Sequence, residues 1–174
     1  FRHVLFRSMR VLIVGCGYVG MEVARACAAE GHEVHGVRRS PAGLAMLAAA
    51  GIQPLAGDVA DASSVATWPR RWDVVVNAVS SSGGGLEGYR RAYLEGSTNL
   101  ASHLRDSPTC RVVHVGSTSV YPQTDGSWVD EESPAEPEGE AGRVLVATEQ
   151  AWLEAWRRHA LPVLDRKSTR LNSS

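Results

Sequence analysis

Six consecutive residues, Gly15-Cys16-Gly17-Tyr18-Val19-Gly20, have the types and the spacing to cradle a phosphate group. They follow the apolar run Val11-Leu12-Ile13-Val14 and open the stretch from Glu22 to Glu30, whose apolar residues recur at helical spacing. A strand that turns directly into a helix aims unpaired N–H groups, and the positive end of the helix dipole, at whatever lies above the turn. Gly15 permits the tight turn, Gly17 lets the backbone approach a pyrophosphate, and Gly20 lets the helix pack close to the strand; Tyr18 and Val19 complete the cradle. A purely structural glycine turn is the competing reading. The strand before it and the helix after it favour dinucleotide binding.

The end of the second strand reads the cofactor's ribose. NAD binders place an acid there to accept hydrogen bonds from the 2'-hydroxyl. No Asp or Glu occurs from Val34 to Gly57, and the strand runs out into Arg38-Arg39-Ser40. Two guanidinium groups and a hydroxyl suit a 2'-phosphate, because arginine presents a planar fork of donors to phosphate oxygens. The expected cofactor is therefore NADP, with NAD or dual use as the competing assignment and solvated surface arginines as the bland one.

Elements that could position these residues alternate regularly along the chain. Strands are predicted at Arg10–Val14, Glu33–Val37, Ile52–Leu55, Asp73–Asn77, Arg111–Val115 and Leu161–Leu164. Helices are predicted at Tyr18–Glu30, Ala42–Ala50, Ala62–Trp68, Leu86–Arg105 and Arg143–His159. Gly31 marks the stop of the first helix and Pro41 the start of the second. Short apolar strands separated by crossover helices predict an α/β fold, a Rossmann-type doubly wound parallel sheet with helices on both faces. In the last helix Val144, Thr148, Trp152 and Trp156 lie four apart and are expected to form a stripe against the sheet.

The 174 residues, 44% hydrophobic and with net charge -1, fit one domain and give no electrostatic reason to expect nucleic acid or a membrane as partner. Cys16, Cys27 and Cys110 are odd in number and scattered, so no disulfide framework or metal site is expected and a reducing cytoplasm fits. Seven acids between Asp125 and Glu140, with Pro134 and Pro137 among them, read as a solvated loop. Ser80 to Gly85 reads as a flexible loop where a substrate could enter. The ordered pattern spans residues 9–164. Residues 1–8 are expected to be a non-native or disordered leader. Residues 165–174 are expected to be a disordered tail or translated adapter sequence, which leaves the fold incomplete at its C-terminus.

Three further motifs join the glycine turn in order: Gly57-Asp58-Val59 after the third strand, Asn77-Ala78-Val79 closing the fourth, and Gly116-Ser117-Thr118-Ser119-Val120-Tyr121 after the fifth. With them the chain resembles the short-chain dehydrogenase/reductase superfamily, and within it the extended NAD(P)-dependent epimerase/dehydratase group and its atypical relatives. The resemblance implies that Asp58, with Val59, lies near the adenine and that Asn77, Ala78 and Val79 line the cofactor. It also implies that Ser117 polarises a substrate carbonyl or hydroxyl; a loop-capping serine is the other reading. Dimerisation through the last two helices is a further implication.

Members of that group that do redox chemistry carry a YxxxK pair, whose positions fall here on Ala141 and Leu145. Neither can move a proton, and hydride transfer to a carbonyl needs a proton partner. Three functions follow as expectations. One is an NADP-dependent oxidoreductase or epimerase acting on a nucleotide sugar or similar small molecule. The second is a non-catalytic dinucleotide-binding sensor or interaction module, and the third is an inactive fragment of either.

Overall fold

Every predicted apolar run becomes a strand of one sheet. The computed structural model describes residues 7–81, 83–107 and 110–168. The expectations for residues 1–6 and 169–174 lie outside the described residues. In chain order the elements are β1 (Arg10–Val14), α1 (Tyr18–Ala29), β2 (Glu33–Arg38), α2 (Pro41–Ala49), β3 (Gln53–Ala56), α3 (Ala62–Ala66) and β4 (Val74–Asn77). Then come α4 (Gly85–Arg90), a π-helical turn (Arg91–Glu95), α5 (Gly96–Leu104), β5 (Arg111–Ser117), a short 3-10 turn (Thr118–Val120), α6 (Glu140–His159) and β6 (Val163–Ser168).

The sheet order is β3-β2-β1-β4-β5-β6, and every neighbouring pair is parallel. Chain order therefore reverses direction between β1 and β4, which opens a crevice at the carboxyl ends of those strands. Successive side chains of β1 point to opposite faces and feed two cores. Leu12 and Val14 pack with Val75, Leu100, Leu104, Val112 and Trp152 on the face covered by α3, α5 and α6. Val11 and Ile13 pack with Met21, Ala24 and Leu47 on the face covered by α1 and α2.

Local signals act as read at the first two helices. Gly31, at φ +81°, follows the last turn of α1 and donates to the Ala28 carbonyl at 3.0 Å. Pro41 occupies the first turn of α2, and the Ser40 hydroxyl caps it by accepting from Gly43 N at 3.1 Å.

Two expectations need correction. Val144, Thr148 and Trp152 are buried, whereas Trp156 is 54% exposed. A spacing of four advances about 40° round the helix at each step, so by the third step the stripe has left the sheet. Ala155 takes the buried place instead. The last strand also starts and ends later than Leu161–Leu164: Asp165, Arg166, Lys167 and Ser168 continue its pairing with β5. Lys167 fixes this extension through ion pairs to Glu149 at 2.6 Å and Asp165 at 2.8 Å. Such pairing is decided by a neighbouring strand, so no local apolar pattern announces it.

Candidate functional site

The turn from β1 to α1 forms the floor of the crevice. Gly15 has φ +87°, and a Cβ there would stand 2.7 Å from the Ala78 carbonyl oxygen and the Val79 backbone. Only glycine lets this turn press against the end of β4. Gly17 begins α1 without any side-chain cap, and a Cβ on it would meet nothing within 4 Å. The helix N-terminus thus faces open space. Gly15 and Gly17 line a cavity of about 520 Å³ together with Arg38, Arg39 and Ser40 on one rim and Gly57 to Ala60 beside it. Ala78, Val79 and Ser80 from the β4 loop, and Gly88, Arg91 and Ala92, close the other side.

The arginine rim is built by the start of α2. Arg38 lies against Gly43, where a Cβ would come within 2.9 Å of Nε, and that Nε is buried without a hydrogen-bond partner. A buried guanidinium donor without an acceptor is costly unless a ligand supplies one. Arg39 is mostly exposed, and its Nη1 stands 3.7 Å from Asp58 Oδ2. Asp58 in turn accepts from Ala60 N at 3.0 Å, which holds the loop after β3 against the crevice.

Other predicted residues sit elsewhere. Tyr18 and Val19 are exposed on the first turn of α1, and Gly20 packs beneath them against Ile13 and the Gly15 carbonyl. Asn77 is buried below the crevice, where its Nδ2 donates to Ser97 Oγ at 3.1 Å and lies 3.4 Å from His114 Nδ1. Ser117 ends β5 outside the crevice lining, and its Oγ accepts from Ser119 N at 3.2 Å as the cap of the 3-10 turn. Ala141 borders a second, shallower depression with Ser81, Leu86, Tyr89 and Glu140, while Leu145 is buried.

A family model described as the NAD dependent epimerase/dehydratase family matches residues 11–163. The chain belongs to the NAD dependent epimerase/dehydratase family. Solved structures similar to this family member include a dTDP-glucose 4,6-dehydratase double mutant from Streptomyces venezuelae with NAD bound (TM-score 0.78, 24% identity, 90% of this chain and 54% of that one). A short-chain dehydrogenase/reductase superfamily protein from Agrobacterium tumefaciens with bound NAD is similar at TM-score 0.77 and 21% identity, covering 91% of this chain and 48% of that one. Among curated proteins, pinoresinol reductase 1 of Arabidopsis thaliana is 36% identical over 80 residues, which is 41% of this chain and 25% of the reductase. The chain thus spans about half the length of these solved structures and a quarter of the curated relative.

One buried titratable group lies beneath the crevice. His114 packs beside Asn77 and Trp152, and burial pushes its pKa down from 6.5 to about 4, with Asp165 raising and Lys167 lowering it. Below its unfolded pKa the unfolded chain takes up a proton that the folded chain refuses. Stability should therefore fall as pH drops from 6.5 towards 4, by about 3 kcal/mol at most, and level off below. Urea unfolding across that range checks it: His114→Gln should flatten this part of the profile, and an unchanged slope would assign the acid sensitivity to carboxylates.

Proposed function

We propose that the chain is the NADP-binding part of an oxidoreductase or epimerase that acts on a nucleotide sugar or a similar small molecule bearing a hydroxyl or carbonyl. The observation that carries this reading is the rim: Arg38, Arg39 and Ser40 line the crevice while no acid ends β2. The cavity suits the cofactor on two further counts, the open space above Gly17 and the unpartnered Nε of Arg38. Gly15, Gly17 and the α1 N-terminus would hold the pyrophosphate, Arg38, Arg39 and Ser40 the 2'-phosphate, and Asp58, Val59, Ala78 and Val79 the adenine side and the cofactor's flank. Bound there, the nicotinamide would supply hydride acceptance or donation. Ser117, at the end of β5, would turn its hydroxyl from capping the 3-10 turn to the substrate oxygen, and the free thiols of Cys16, Cys27 and Cys110 suit a reducing cytoplasm.

Calorimetric titration with NADPH and NADH tests the rim. The Arg38→Ala, Arg39→Ala double variant should lose about tenfold to a hundredfold in NADPH affinity and little in NADH affinity, because only the 2'-phosphate loses its charged donors. Equal losses for both nucleotides would sink the NADP assignment.

A second reading rests on α6. Leu145, buried, and Ala141 occupy the positions where a Tyr and Lys pair would serve proton transfer, which favours a non-catalytic dinucleotide-binding sensor or interaction module. Cofactor binding without turnover on any hydroxyl or carbonyl compound, in a chain continued to its relatives' length, would support it.

A further inference from the structure

The crevice wall facing the arginine rim carries a third arginine that no motif accounts for. Gly88, Arg91 and Ala92 line the cavity at a spacing of i, i+3 and i+4, so a single face of the helix that runs from α4 into the π turn forms that wall. Gly88 lets the turn that opens α4 fold back against the helix, since a Cβ there would collide with the Gly83 carbonyl oxygen. Ala92 adds only a methyl group. Arg91 is the long, charged side chain on this face; it makes no ion pair within 4 Å among the described residues, although Asp61 lies near enough to feel its charge. It is also the first residue of the π turn, a departure from α-helical winding that recurs at functional sites.

Position decides which anion it meets. α1 covers the sheet face of Val11 and Ile13 through Met21 and Ala24, and the helix continuing from the π turn covers the opposite face through Leu100 and Leu104. The α1 N-terminus and Arg91 therefore converge on the crevice from opposite faces of β1 and β4. Arg38 and Arg39 end β2, which is one strand further from β4 in the sheet order. A guanidinium brought in from the β4 side reaches the middle of a dinucleotide laid across β1, not its 2'-phosphate.

We propose that Arg91 is a ligand of the cofactor's diphosphate, closing against the α1 N-terminus from the opposite wall. The proposal rests on the dinucleotide reading above. It assigns selectivity and affinity to different arginines: Arg38 and Arg39 distinguish NADP from NAD, and Arg91 strengthens both alike.

Calorimetric titration of the parent chain, Arg91→Gln and Arg91→Lys with NADPH and with NADH separates these roles. Arg91→Gln should weaken both nucleotides by about tenfold, leave their ratio unchanged and reduce the dependence of affinity on salt. Arg91→Lys should keep affinity within about threefold of the parent, because a point charge retains the attraction without the planar fork. Arg91 is exposed, so melting temperatures should match, and the lysine variant stands as the control if the glutamine variant melts lower. A loss confined to NADPH would move the contact to the 2'-phosphate and overturn the assignment, as would no loss for either nucleotide. A folded parent that binds neither nucleotide overturns the dinucleotide reading itself, whereas a binding parent with an indifferent Arg91→Gln overturns Arg91 alone.

Discussion

Gly17→Val should remove binding of NADPH and NADH together while the domain stays folded. A Cβ on Gly17 meets no protein atom within 4 Å beyond its chain neighbours, so the new side chain starts out into open space. The isopropyl group would stand in the space above the α1 N-terminus, where a phosphate has to approach within hydrogen-bond distance of the N–H groups. Losing that approach removes charge-assisted hydrogen bonds worth about 1.5–3 kcal/mol each, so affinity should fall by at least about a hundredfold for either nucleotide. Stability should drop by only about 1 kcal/mol, the cost of a poorer helix cap, which moves the melting temperature by a few degrees. Calorimetry beside thermal denaturation checks both halves. Undiminished binding in the folded variant would mean that the cavity above Gly17 is not where the phosphates lie.

The pieces of this site that were legible in the sequence are those whose conformation is set within a few residues. The glycine turn declares itself because strand, turn and helix follow one another, and α2 declares itself through Ser40 and Pro41. Arg38 and Arg39 could be read because they end a strand that must finish at the crevice in any doubly wound sheet. What escaped depends on packing between distant segments. Gly88, Arg91 and Ala92 look like any stretch of a helix until they are seen lining one cavity with the ends of β1, β2 and β3. Their spacing was available as a signal, but nothing in it says which face meets the crevice. Asn77 shows the converse: the end of β4 reaches the crevice through Ala78 and Val79, whereas the Asn77 side chain turns inward to Ser97 and His114. Alternation along a strand makes that reversal a one-residue matter.

Charge in the crevice follows the same division. Arg38, Arg39 and Arg91 line it against one carboxylate among the described residues, that of Asp58, which Arg39 already faces at 3.7 Å. The excess is positive, which suits the proposed ligand with its diphosphate and further phosphate, and it is spread over two walls. Selectivity and affinity are then separable by substitution, which a single cluster of arginines would not permit.

Gly20→Ala should do the opposite of Gly17→Val, unfolding the site from below. A Cβ on Gly20 would collide with the Gly15 carbonyl oxygen, and it would come within 3.2 Å of Ile13 Cγ2. The first obstacle is backbone held in the tight turn and the second is a side chain of the fully buried core, so neither can give way cheaply. Alanine gains about 1 kcal/mol of helix propensity over glycine, yet overpacking at this contact costs up to about 3 kcal/mol, for a net destabilisation of about 1–2 kcal/mol. Relief requires α1 to lift from β1, which tilts the helix N-terminus away from the crevice and weakens both nucleotides as well. Urea unfolding should show a lower midpoint with an unchanged slope, since the surface exposed on unfolding stays the same. Gly17 and Gly20 are three residues apart in one motif, and the contrast between them separates the two demands on it. One position is kept small for a ligand that must come in, the other for a helix that must come down. A Gly20→Ala variant as stable as the parent would show that the close approach of α1 to β1 is not what this glycine provides.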